Sequence, residues 1–234
     1  MSQLTQLRRD LKKAANPKQA AILQRFFKTG QGQYGEGDVF LGIKVPRQRE
    51  IASKYFGLSL AEIKKLLQSK IHEQRLVALL IMVAKFNQVT EAEKKRLFKF
   101  YLANSKWINN WDLVDLSAPS IVGQYLLKRP RQVLYRLAKS KNLWERRIAI
   151  VATYSFIRQN QFGDTLRIVT LLLGDQQDLI HKAAGWMLRE VGKRDQVVLE
   201  KFLQKYASQM PRTTLRYAIE RLPEKKRQRY LKLG

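Results

Sequence analysis

ERRIAIVATYS, from Glu145 to Ser155, sets an arginine pair in front of a run of small and apolar residues. Taken alone it reads as one buried helix. The chain holds counterparts: EQRLVALLIMV from Glu73, HKAAGWMLREV from His181 and TLRYAIERLP from Thr214. Each places a basic residue just before a small or apolar helical run. The segments at Glu145, His181 and Thr214 recur at roughly 35 residues, and the one at Glu73 lies about two such periods earlier, the range of two-helix solenoid repeats. This spacing predicts a curved helical solenoid. One helix of each pair would line a concave face and repeat its basic residue along it, an arrangement suited to a long polyanion such as a duplex.

Outward from these segments, apolar residues continue at i, i+3, i+4 and i+7 with short breaks. The periodicity predicts helices over Leu4 to Ala15, Lys18 to Lys28, Pro46 to Phe56, Leu60 to Leu67, Glu73 to Phe86, Glu91 to Asn104 and Asp112 to Lys128. It continues them over Arg131 to Ala138, Trp144 to Arg158, Phe162 to Leu173, Leu179 to Val191, Asp195 to Tyr206, Thr213 to Arg221 and Glu224 to Leu233. Pro17, Pro46, Pro130, Pro211 and Pro223 fall at or near starts and breaks, where a missing N–H does little harm. The expected domain is a single one, residues 1–234.

Lys and Arg number 45 against 19 Asp and Glu, a formal net charge of +26, and 45% of the residues are hydrophobic. Such a chain buries a core and is no disordered basic tail. Its charge runs along the whole length and favours a nucleic-acid partner over an anionic membrane or an acidic protein. The chain has no cysteine, which excludes disulfides and thiol chemistry. His72 and His181, the only histidines, stand far apart, and no spacing suggests a metal site. The start, MSQLTQLRRDLKKAANPKQ, lacks an apolar run of secretory type, and LVALLIMVAKF from Leu76 meets Lys85 too early to span a bilayer. A cytoplasmic protein, associated with the nucleoid through DNA, is expected, without metal or cofactor.

KTGQGQYGEGDVFLGIKVP, residues 28–46, departs from the helical pattern and reads as a structured loop. Gly30, Gly32 and Gly35 match G-x-G-x-x-G, but a dinucleotide site needs a preceding strand, and ILQRFFK before it is helical. The loop would dock Phe40 and Leu41 on the core. Its backbone N–H groups are a second candidate for touching a phosphate.

WINNWDLVD, Trp107 to Asp115, puts two carboxylates beside two indoles in this basic chain. On one helix, Trp111 and Asp115 share a face at i, i+4, while Asp112 points elsewhere and suits a helix N-terminus. Trp111 and Trp186 are equally readable as core tryptophans, and one of Arg146 and Arg147 as a solvated helix face. Stacked repeats would bring two indoles, one carboxylate and an arginine to one patch. Tryptophan faces attract cations by roughly 0.5 to 2 kcal/mol, and a carboxylate at 4 Å near a protein surface by about 4 kcal/mol. The patch is thus a cation-stabilising site within a polyanion-binding surface. Rupture of an N-glycosidic bond gives the deoxyribose oxocarbenium character. A purine alkylated at N3 or N7 is already cationic and leaves neutral, so a single carboxylate suffices.

FFKTGQGQYGEGDVFLGIKVPRQR, WDLVD, NLWERRIAIVATYSFI, IHKAAGWMLREVGKRD and MPRTTLRYAIERLP together resemble the AlkD-like family of DNA alkylation repair glycosylases over nearly the whole chain. The resemblance implies an all-α right-handed superhelical solenoid of HEAT-like two-helix repeats that cradles duplex DNA on a concave basic face. It implies excision of N3- and N7-alkylated purines without flipping of the base. The family's catalytic aspartate matches Asp115, its two lesion-contacting tryptophans Trp111 and Trp186, and its phosphate-binding arginine Arg147, with Arg146 beside it. An aromatic position matches Phe26 or Phe27; where some members carry tyrosine, this chain lacks the hydroxyl. Lys44, Arg47, Lys182 and Arg216 are further candidate phosphate contacts, each equally readable as solvated surface. The expectation is a monomeric, monofunctional glycosylase of base excision repair acting on double-stranded DNA. Its rivals are a non-catalytic binder of damaged, bent or branched DNA and a HEAT-type protein scaffold.

Overall fold

Ser2, Asn16, Ser59 and Thr90 each accept a hydrogen bond from a backbone N–H of the turn that follows, and each opens a helix. Ser59 and Thr90 do so within capping boxes completed by Glu62 and Glu93. The computed structural model describes residues 2–233, so the outermost residues of the expected 1–234 domain lie outside it. Among the described residues the protein is all-helical, with one isolated parallel bridge, Val39 to Ile71, in place of any strand.

The chain divides into two compact units, Met1–Ser117 and Ala118–Gly234. The first contains α1 (Gln3–Lys13), α2 (Pro17–Phe26), α3 (Val45–Ser53), α4 (Leu60–Leu67), α5 (His72–Phe86), α6 (Glu91–Ala103) and α7 (Trp111–Asp115). The second contains α8 (Gln124–Leu126), α9 (Gln132–Ala138), α10 (Leu143–Ala152), α11 (Tyr154–Ile157), α12 (Gly163–Leu171), α13 (Asp178–Arg194), α14 (Gln196–Tyr206), α15 (Arg212–Ile219) and α16 (Glu224–Leu231).

In the first unit α5 is the core. It is buried on every side from His72 to Met82, packed by α3 and α4, as a helix with no polar face must be. By contrast α2 buries none of its residues completely and leaves Ile22 and Phe26 exposed. The glycine loop between α2 and α3 is tied to α5. The Leu41, Gly42 and Ile43 N–H groups donate to the buried Glu73 carboxylate at 2.9, 2.8 and 3.2 Å. These N–H groups therefore serve α5 and are not open to a phosphate. Phe40 is buried, as expected of the loop, whereas Leu41 is only half-buried. Gly42 has φ +84°, and a Cβ there would run into the Asn16 carbonyl.

In the second unit α13 is central, packed by α10, α14 and α15. Two expected helices are divided. The one over 112–128 stops at Asp115, and residues 119–123 form a wide π-type turn that starts at Pro119, which cannot donate to a helical ladder. The one over 144–158 breaks at Thr153, whose hydroxyl donates to the Ile150 carbonyl at 2.7 Å.

Candidate functional site

The five residues of α7 are too few to hold a helix by themselves, so their side chains anchor it. Asn110 caps it, accepting from the Trp111 N–H at 2.8 Å and donating to Asp38 at 3.2 Å. Asp112 accepts from the Leu113 N–H at 2.9 Å and faces Nε2 of His72 at 2.8 Å. Nδ1 of His72 faces Asp38 at 3.0 Å, and Asp38 takes the Arg75 guanidinium at 2.6 Å. All four of these charged side chains are buried.

Ionised carboxylates only accept, so with Asp38 and Asp112 both ionised the two ring nitrogens of His72 carry protons and the ring is an imidazolium. Burial pulls the His72 pKa down, but the Asp112 charge and the bonds to Asp112 and Asp38 outweigh it and raise it to about 9. Burial likewise works to raise the Asp38 pKa, yet His72 and Arg75 hold it below the ordinary carboxylate range.

A run of aromatic rings rises from this network. Phe40 stacks on His72 at 4.5 Å, Phe27 on Phe40 at 4.9 Å, and Trp111 on Phe27 at 5.1 Å with an 11° interplanar angle. Phe26 meets Trp111 edge-on at 6.0 Å and is 61% exposed, whereas Phe27 is 6% exposed. Thus Phe26 reaches solvent and Phe27 belongs to the core. Beside this run lies a cavity of about 500 Å³ walled by Leu23, Phe26, Phe27, Phe40, Leu76 and Trp111, with Asp115 and Lys44 also on its wall. Asp115 is half-buried there. Burial chiefly, and the Asp115 charge in addition, push the Tyr101 phenol above its ordinary range against the bond it shares with Ser117. Trp107 lies outside the cavity wall, with the Lys106 ammonium 5.0 Å over its ring.

Of the other candidates in the first unit, Lys44 is exposed and Arg47, also exposed, pairs with Glu50 at 2.6 Å. In the second unit Trp186 is half-buried with its ring 6.0 Å from Tyr154. Ala183, Ala184 and Gly185, which precede Trp186, are buried, and Gly185 sits against Thr214 and Tyr217 of α15. Arg147 is buried and donates to the Leu179 carbonyl. Arg146 binds Asp175 at 2.5 and 3.3 Å and the Ser140 and Lys141 carbonyls at 2.9 and 3.0 Å, so neither arginine is a solvated face. Lys182 pairs with Asp178 at 2.7 Å, and Arg216 is exposed in the last turn of α15.

The internal repeat is sharper in the structure than in the sequence. Arg75, Arg146 and His181 each reach back six residues to a carbonyl, of Ser69, Ser140 and Asp175, at 2.9, 2.9 and 2.5 Å. Ser69, Ser140 and Asp175 in turn accept the N–H two residues on, at 3.0, 3.1 and 2.9 Å. The recurrent basic residue is thus a staple at the start of α5, α10 and α13. In these three segments it turns inward on its own turn, whereas Arg216 of the fourth segment is exposed. In this register Arg147 and Lys182 correspond, and the first repeat has Leu76 at that position.

Sequence reasoning missed the Arg75–Asp38–His72–Asp112 network. The available signal was a polar first turn, His72 to Arg75, heading a long apolar run. Among the described residues no group of three or more His, Cys, Asp or Glu could hold a metal ion, and no helix is long and apolar enough to cross a membrane.

The fold has similar solved structures. A predicted DNA alkylation repair enzyme from Enterococcus faecalis has a similar structure, with TM-score 0.71 at 17% identity over 90% of this chain and 97% of that one. The crystal structure of AlkD2 from Streptococcus mutans is similar with TM-score 0.53 at 16% identity, over 92% of this chain and 95% of that one. At such identities the likeness is one of fold. No curated protein matches the sequence. The family model of the DNA alkylation repair enzymes matches residues 7–222, and the chain belongs to that family.

Proposed function

We propose that the protein is a monofunctional DNA glycosylase that hydrolyses the N-glycosidic bond of cationic N3- and N7-alkylated purines in duplex DNA. The observation that supports this reading best is the half-buried Asp115 carboxylate on the wall of an aromatic cavity, on the same short helix as Trp111. In the reaction the C1′–N9 bond breaks and its electron pair neutralises the alkylated purine, which departs uncharged. Asp115 stabilises the oxocarbenium left on the deoxyribose and orients the water whose oxygen bonds to C1′; the water's proton passes to solvent. Low-dielectric surroundings strengthen this attraction. Trp111 and the exposed Phe26 offer ring faces to the cationic lesion. Acting at the sugar, this chemistry does not require the base to be flipped out.

Lys44, Arg47 and Arg216 are exposed and serve as phosphate contacts in this reading. Arg146 and Arg147, each with a partner inside the second unit, and Trp186 take their proposed DNA roles from the resemblance to the family, and Lys182, paired with Asp178, is a further candidate phosphate contact. The protein works as a monomer in base excision repair in the cytoplasm, without a cofactor, as one domain.

Single-turnover release of alkylpurine from duplexes carrying N7-methylguanine or N3-methyladenine tests the reading. The natural protein is expected to release the base and Asp115→Asn to lose release while still binding the duplex. No release by the natural protein from either lesion overturns the glycosylase reading in favour of a non-catalytic binder of damaged DNA.

A further inference from the structure

We propose that His72 is a positioning residue for Asp115: clamped as an imidazolium between Asp38 and Asp112, it fixes where α7 presents the Asp115 carboxylate to the cavity. The proposal rests on the glycosylase reading of Asp115.

A helix of five residues owes its placement to tethers. Asp112 is one turn before Asp115, and its bond to Nε2 of His72 joins α7 to the first residue of the buried helix α5. The second ring nitrogen, bonded to Asp38, ties the same imidazole to the glycine loop. Asn110, which caps α7, bonds to that same Asp38. The ring face stacks on Phe40, which stacks on Phe27, which stacks on Trp111. Polar and aromatic routes therefore both run from His72 to α7.

The charged groups around the ring are Asp38 from the loop, Asp112 from α7 and Arg75 from α5 itself. Glu73, next in sequence, is turned to the Leu41–Ile43 N–H groups, and Lys44 stands on the cavity wall. Two cations against two anions make the buried group of four neutral. Loss of the His72 proton would set a ring lone pair against a carboxylate oxygen and leave a net negative charge among apolar walls. One of the two carboxylates would have to withdraw, and withdrawal of Asp112 carries α7 with it.

Two measurements test the proposal. In protein labelled with 15N at histidine, both ring nitrogens of His72 are expected to be protonated at pH 7 and to lose a proton with a midpoint near the raised value of about 9. A neutral ring at pH 7 overturns the proposal. In single-turnover excision, His72→Gln keeps a donor for one carboxylate and removes the other. Its release rate is expected to fall on the order of tenfold to a hundredfold with duplex affinity at fixed salt unchanged. The natural-to-variant rate ratio should then shrink as pH passes the NMR midpoint.

Equal rates for natural protein and variant overturn the positioning role and leave the glycosylase reading standing. No release by the natural protein overturns both. Should His72→Gln fail to fold, the natural protein decides alone, because a release rate indifferent to the His72 midpoint overturns the proposal.

Discussion

Nε2 of His72 lies 2.8 Å from the Asp112 carboxylate, so the first residue of the core helix α5 holds the first turn of α7. This bond makes stability depend on alkaline pH. His72 has a folded-state pKa near 9 against an ordinary value of 6.5, raised despite burial by Asp112 and Asp38. A raised pKa contributes stability that is fully present below 6.5 and is lost as pH rises through about 9. The size is about 3 kcal/mol. Urea unfolding of natural protein and His72→Gln across this window should show the natural protein losing its advantage between those pH values. A constant difference would mean that the ring does not titrate there.

Adjacent phenylalanines should separate stability from function. Phe27, 6% exposed and stacked between Phe40 and Trp111, is core, and Phe27→Ala should cost about 3–5 kcal/mol. Phe26 is 61% exposed, so Phe26→Ala should shift stability by no more than about 0.5 kcal/mol. If Phe26 meets the lesion, its removal should slow alkylpurine release without changing the unfolding curve. Unfolding and release measured on both variants would show whether the exposed ring serves the reaction.

The fold was legible because helix periodicity and caps are local. Each expected helix has a counterpart, and α4 keeps the bounds Leu60–Leu67. The two divided helices carry their causes in the sequence, a proline at 119 and a hydroxyl at 153 that competes for a backbone carbonyl. Repeat register was harder, because ERR at 145–147 offers two arginines and only the bond from Arg146 to the Ser140 carbonyl selects the one equivalent to Arg75. Trp111 and Asp115 stood out as unusual residues in a basic chain. Asp38, His72 and Asp112 did not, since they meet across 34 and 40 positions of sequence, and pairing at such range leaves no periodic trace. Asp112 read as a helix-start residue, which it is, while its partner was invisible.

Duplex binding should be strongly salt-dependent, given the net charge of +26. The logarithm of affinity should fall linearly with the logarithm of salt concentration, by about 0.9 per phosphate neutralised. Lys44→Ala and Arg216→Ala each remove an exposed cation, and each is expected to reduce the slope by about 1 if it contacts a phosphate. Fluorescence anisotropy over a salt series measures this directly. An unchanged slope would return that residue to ordinary surface, and an absence of binding at low salt would argue for a protein-interaction scaffold.

Two glycines of α13 should respond in opposite directions to alanine. Helix propensity alone favours both substitutions, by about 0.5–1 kcal/mol. At Gly185 a Cβ would lie 2.5 Å from the Thr214 carbonyl oxygen and 2.5 Å from Tyr217 Cβ, so α13 and α15 would have to part. Backbone cannot turn aside as a side chain can, and overpacking of about 1–3 kcal/mol should outweigh the propensity gain. At Gly192 the nearest atom is the terminal Cδ2 of Leu199, which a rotamer change can move. Gly192→Ala should therefore be neutral or stabilising, and Gly185→Ala destabilising. Trp186 follows Gly185 on the same helix, so displacement of α13 should also shift its fluorescence in the folded state. Urea unfolding followed by tryptophan emission reads both effects, and equal stability of the two variants would contradict the tight α13–α15 contact.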